Sequence, residues 1–142
     1  GILIRGAIGF KSSYLAKSEL FFFPIGNFLK WTGGVPVDRS SKNNLVKQIS
    51  DIFKKRNEFR LSLSPEGTRK RVDKLKTGFY YIALEAKVPI ILMTLDYKNK
   101  QTLISEPFYP TNNKDADFKY INNYFYGVVG KVKEYSFFDK NN

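Results

Sequence analysis

Leu45, Val46, Ile49, Ile52 and Phe53 recur at helical spacing, with Lys47, Asp51, Lys54 and Lys55 between them. That period predicts an amphipathic helix from Ser40 or Ser41, both suited to an N-cap, to about Arg56. Phe59, Leu61 and Leu63 then alternate with Arg60, Ser62 and Ser64, the period of a strand. Upstream, the apolar Leu20 to Phe23 runs into Pro24, which opens a helix to about Trp31 that stops at Gly33-Gly34. Ser12 to Ala16 and Val35 to Asp38 read as short extended segments on either side of it. Gly1 to Phe10 reads as the tail of a helix.

Downstream, Gly78 to Lys87 is patterned as a helix. Pro89 to Asp96 is a nearly continuous apolar run, rich in β-branched residues, which predicts a buried strand of the parallel kind. Gln101 to Tyr109 predicts a further strand. A last helix begins at Asp115 or Asp117 and runs to Tyr126, burying Phe118, Ile121, Tyr124 and Phe125. The tail beyond Lys133 reads as frayed. Strands alternating with helices predict an α/β fold, a mainly parallel sheet flanked by helices. With 142 residues, one domain over 1–142 is the natural reading.

Composition changes this picture in three ways. Thirteen Phe and nine Tyr exceed what an ordinary surface carries, so a core, an apolar ligand or a membrane must cover them. The net charge of +11 favours an anionic partner: nucleic acid, an anionic membrane surface or a phosphorylated small molecule. The absence of Cys and His removes any disulfide, thiol nucleophile or thiolate metal site and argues against zinc. No recognition helix or RNP-like motif supports nucleic acid. No apolar run reaches the length of a membrane-spanning helix.

Three segments stand at the ends of predicted strands, where open α/β sheets gather ligands. They are Ala16 to Leu20, Gly33 to Arg39 and Ser64 to Arg69. Their chemistry suits a phosphate. Gly33, Gly34 and Gly67 allow backbone N–H groups close to an anion. Arg39 and Arg69 offer planar forks matched to phosphate oxygens, and Lys17 adds a point charge. Thr68 offers a hydroxyl, and Glu66 suits the holding of the turn or of an arginine. Each piece alone also has a purely structural reading. Gly-Gly stops helices, Pro-Glu-Gly-Thr makes a β-turn, and arginines decorate surfaces. The basic run from Arg69 to Lys76 reads as a solvated loop.

Together the pieces carry a resemblance. Pro65-Glu66-Gly67-Thr68-Arg69 matches the signature of the glycerolipid (1-acylglycerol-3-phosphate, or lysophosphatidic acid) acyltransferase family. Gly34 to Arg39 resembles that family's preceding Gly-x-x-x-x-Arg block. Val88-Pro89-Ile90-Ile91 resembles its fourth block, and Lys17-Ser18-Glu19-Leu20 is similar to the Lys-x-Glu-Leu step after its first. The resemblance runs from about Tyr14 to Asp96 and implies a glycerol-3-phosphate acyltransferase-like fold.

It also implies a site and a reaction. Arg39 and Arg69 would hold the phosphate of a lysophospholipid acceptor, with Lys17 helping. Gly33, Gly34 and Gly67 would shape that pocket, and Glu66 and Thr68 would set the turn carrying Arg69. The acyl donor would be acyl-CoA or acyl carrier protein, with no bound cofactor, metal or covalent acyl-enzyme. The setting would be the cytoplasmic face of a membrane, touching an anionic surface. The family's first block, His-X-X-X-X-Asp, supplies the general base. No His occurs in these residues, so the resemblance implies a domain without its N-terminal portion and a chain inactive by itself. The rival readings are a non-catalytic lipid- or phosphate-binding module of the same fold and a nucleic-acid-binding domain.

Overall fold

The computed structural model describes residues 12–38, 40, 42–68, 72–133 and 136. The chain falls into two compact units, one up to Leu63 and one from Ser64. It is a small α/β structure with a short parallel sheet and helices. The expectations for Gly1 to Phe10 and for most of the tail after Lys133 lie outside the described residues.

The first unit is built on β1 (Tyr14–Lys17) and β2 (Gly34–Val37), which pair in parallel. Parallel strands need a crossover, and a 3₁₀ turn (Ser18–Leu20) followed by α1 (Ile25–Trp31) supplies it. Pro24 caps α1, and Gly33 takes φ +90° just past its end, so the expected start and stop both hold. On the other side of β1, Ser13 pairs in parallel with Leu61. Ser13 N–H donates to Arg60 O at 2.7 Å and Ser62 N–H donates to Ser13 O at 2.9 Å. The strand expected over Phe59 to Leu63 is therefore reduced to one bridge, and β1 lies between two parallel neighbours. Ala16, Val35 and Val37 are buried, while Lys17 and Pro36 face out.

The amphipathic helix is present as α2 (Lys42–Lys55). Ile49 and Ser50 are fully buried, each at 0% exposure, with Leu45, Val46, Ile52 and Phe53 half-buried. Phe53 packs edge-on to Phe59 at 4.7 Å, and Arg56 covers the Phe59 ring at 5.1 Å. Of the two expected caps, Ser41 lies outside the described residues. The Ser40 hydroxyl turns back to Asp38.

The second unit encloses Leu75, Leu92 and Ile121, against which Phe79, Ile90, Phe108 and Phe118 pack. α3 (Gly78–Ala86) ends with Lys87 in the left-handed region at φ +56°, where Val88 N–H returns to Ala83 O at 3.1 Å. β3 (Met93–Asp96) and β4 (Gln101–Ile104) form an antiparallel hairpin. This corrects the expectation of a buried parallel strand over Pro89 to Asp96. A four-residue reversal, Tyr97 to Lys100, makes the returning chain β3's neighbour, and Ile91 and Leu95 are left exposed. Asp96 sets that reversal. Its carboxylate accepts from Asn99 Nδ2 at 2.6 Å and Lys98 N–H at 3.0 Å. Those bonds, the Asn99 side chain foremost, hold the Asp96 carboxyl below the usual carboxylate range despite burial.

α4 (Lys114–Phe125) starts one residue ahead of the expected range. Asn113 is its N-cap and accepts from Ala116 N–H at 3.3 Å. Asp117 instead turns inward, where Tyr80 Oη donates to it at 2.9 Å and Thr111 adds two bonds at 2.8 Å.

Candidate functional site

The parallel pairing of β1 and β2 decides where the first unit presents its polar residues. The register sets Tyr14 beside Gly34 and Lys17 beside Val37. Lys17 therefore stands exposed at the carboxyl end of β1, level with the residue from which the chain leaves β2 toward Arg39. Such ends are where α/β sheets receive ligands.

Asp38 shapes the departure from β2, and the sequence reading did not single it out. Its Oδ1 accepts from Ser40 N–H at 2.8 Å and its Oδ2 from the Ser40 hydroxyl at 2.9 Å. The Ser40 N–H, then its hydroxyl, hold the Asp38 carboxyl below the usual carboxylate range. Asp38 N–H also donates to Gln48 Oε1 at 3.1 Å, and Gln48 Nε2 returns to Asp38 O at 3.3 Å. The end of β2 is thus tied to α2 through Gln48 and to Ser40 through the Asp38 carboxylate. An Asp two residues before a Ser is the short-range signal for such a turn. Arg39 itself lies outside the described residues.

Gly33 and Gly34 join α1 to β2 by close approach. Gly33 N–H donates to Lys30 O at 3.0 Å, and Gly33 O accepts from Tyr14 N–H at 3.1 Å. A side chain on Gly34 would place its Cβ 2.8 Å from Leu29 O and 3.2 Å from Tyr14 Oη. The Gly33 amide is therefore engaged inside the fold, and both glycines fix the joint through absent side chains.

In the second unit Glu66, Gly67 and Thr68 follow one another through a tight turn. Gly67 takes φ +65°, and its N–H donates to Ser64 O at 3.1 Å. The Ser64 hydroxyl reaches Glu66 Oε2 at 3.5 Å, so Glu66 leans on the turn's own start. Thr68 is exposed, and Arg69 lies outside the described residues. Among the described residues no cluster of Asp and Glu has the make-up to hold a metal ion.

The acyltransferase family model matches residues 9–95, more than half of the chain. The chain belongs to the acyltransferase family. The match takes in all eight candidate residues of this acyltransferase domain, from Lys17 to Arg69, and stops within β3. Two curated relatives agree. A 1-acyl-sn-glycerol-3-phosphate acyltransferase of Cocos nucifera is 30% identical over 87 residues, which is 57% of this chain and 28% of that protein. One of Limnanthes douglasii is 32% identical over 87 residues, 57% of this chain and 31% of that protein. The acyltransferase chain thus aligns with under a third of the length of these relatives. No solved structure matches it.

Proposed function

We propose that this chain is the acceptor-binding part of an enzyme that acylates a lysophospholipid, with 1-acylglycerol 3-phosphate as the acceptor. The observation that supports this reading is the family match over residues 9–95, which spans the Pro65 to Arg69 turn and the exit from β2. Both curated relatives carry that acceptor in their names.

On this reading Arg39 and Arg69 grip the acceptor phosphate as paired forks, and Lys17 adds its charge from the end of β1. Glu66 and Thr68 set the turn that carries Arg69, and Gly33, Gly34 and Gly67 shape the pocket wall. The acceptor's glycerol hydroxyl attacks the thioester carbonyl of acyl-CoA or acyl carrier protein. The ester C–O bond forms, the C–S bond breaks, and the thiol leaves with the proton. The family's base for that proton is a histidine, and none occurs in the 142 residues. This chain is therefore expected to bind acceptor without turning it over.

A soluble short-chain 1-acylglycerol 3-phosphate, titrated calorimetrically against the 142-residue chain, tests this. It is expected to bind at least about tenfold more tightly than the uncharged monoacylglycerol of the same chain length. Arg69→Met and Arg39→Met are each expected to erase that preference. Equal binding of the two lipids by the unaltered chain contradicts the proposal.

The membrane side of the proposal rests on a separate feature of the first unit. Leu20, Phe22, Phe23, Ile25, Phe28 and Trp31 are all exposed along the stretch from the end of the 3₁₀ turn through α1, with Phe23 at 84% and Trp31 at 81%. Phe and Trp of this kind suit the interfacial layer of a bilayer, and Lys17 and Lys30 stand beside them for anionic headgroups. On this reading the patch meets a bilayer from its surface; no helix among the described residues is long and apolar enough to cross a membrane. Trp31 is the only tryptophan, so its emission reports this patch alone. Vesicles of phosphatidylcholine with phosphatidylglycerol are expected to move that emission to shorter wavelength. Phe23→Ser is expected to weaken partitioning about tenfold. Unmoved emission at saturating anionic vesicles rules out this surface as the membrane contact.

A further inference from the structure

Lys76 is nine positions beyond Gly67, at the end of a basic stretch that reads as solvated loop. The fold brings it back to the turn. Lys76 N–H donates to Pro65 O at 2.8 Å, closing the loop between them. Its side chain then lies along Gly67. A Cβ on Gly67 would stand 2.8 Å from Lys76 Cδ, 2.6 Å from Cε and 2.5 Å from Nζ. The missing glycine side chain is thus the seat of the lysine's outer half. Gly67 answers two demands at once: φ +65° for the turn, and room for an ammonium over it.

A lysine on a surface loop ordinarily keeps its charge away from the backbone in water. Here the stem is laid against the turn and the charge is delivered to one place. Among the described residues no carboxylate pairs with its ammonium. An ammonium without a partner, held beside a glycine turn, is a ready contact for an anion.

We propose that Lys76 is a further phosphate-binding residue of the acceptor site, contacting the phosphomonoester group with its ammonium. This rests on the proposed phosphate reading of the Pro65 to Arg69 turn and adds a residue to it. Lys76 sets how tightly the phosphate end is held and leaves the acyl chain alone.

The test titrates the 142-residue chain with soluble 1-acylglycerol 3-phosphate, with glycerol 3-phosphate and with the uncharged monoacylglycerol. Lys76→Met is expected to weaken both phosphate ligands about tenfold and to leave the monoacylglycerol unchanged. Lys76→Arg is expected to retain most of the binding. Lys74→Met, an exposed lysine of the same segment, is expected to match the unaltered chain. If the unaltered chain does not prefer the phosphate lipid, the phosphate reading itself fails. If it does and Lys76→Met binds as well as before, or loses only the lipid, the role given to Lys76 is wrong.

Discussion

Asp117→Ala is expected to destabilise the second unit by about 3 kcal/mol, measured as a lower urea midpoint by circular dichroism. Asp117 is 3% exposed, and three donors converge on it. Tyr80 Oη reaches Oδ2 at 2.9 Å, Thr111 N–H reaches the same oxygen at 2.8 Å, and Thr111 Oγ1 reaches Oδ1 at 2.8 Å. An ionised carboxylate accepts all three at once, which no neutral side chain of its size does. Removing it leaves the buried Tyr80 hydroxyl without an acceptor and cuts the tie between α3 and the start of α4. Asp117→Asn keeps the shape but turns one acceptor into a donor, so an intermediate loss is expected.

The same node predicts an alkaline limb. Burial first, and then the bond to Asp117, push the Tyr80 phenol's pKa up. The unfolded phenol ionises near pH 10, the folded one later, so this contribution is whole below that pH and fades as pH rises through the folded value. Tyr80→Phe should flatten that limb. An Asp117→Ala loss below about 1 kcal/mol would show that the network is not what joins the two helices.

Gly26→Ala is expected to cost the first unit about 3 kcal/mol, against the usual sign for an alanine placed in a helix. Gly26 lies in the first turn of α1 and is buried. Its N–H donates to Phe22 O at 2.6 Å. An added Cβ would sit 2.5 Å from Phe21 O and 2.6 Å from Phe21 C, and both are backbone atoms. A side chain in the way can rotate, but a peptide group can yield only by moving the chain on either side. The segment entering α1 would shift, taking the exposed Phe22 and Phe23 with it. Urea unfolding followed by Trp31 emission reports this unit directly. A midpoint equal to or above that of the unaltered chain would contradict the steric reading.

What the sequence made legible follows from how local each signal is. α2 was readable because its stripe repeats over four turns and depends on nothing else in the chain. α1 was readable because Pro24 and Gly33 bracket it, one restricting φ at the start and one taking φ +90° past the end. The direction of β3 was not readable. A continuous apolar run is compatible with parallel or antiparallel neighbours, and only the Asp96-capped reversal decides between them. Phe59 to Leu63 alternates as a strand should, yet a ladder needs a partner of matching length, and here the pairing is limited to Ser13 with Leu61. The chemistry of the candidate turn could be read from Pro65 to Arg69 because its residues are contiguous. Lys76 could not, because a backbone bond to Pro65 brings it there across intervening residues. Asp115 and Asp117 both suit a helix start because carboxylates favour that position, whereas the burial of Asp117 against Tyr80 depends on a residue 37 positions away.

Pro36 bears on how this small sheet meets other chains. Gly33 O faces β1, where it accepts from Tyr14 N–H, so along β2 the alternate residues Gly34 and Pro36 point their backbone the other way. Proline has no N–H to offer on that outer rim. A stray strand arriving there, from a second copy or an unfolded neighbour, would find a gap in the row of donors halfway along four residues. β2 can therefore keep a short, flat, partly apolar border without that border becoming a template for aggregation.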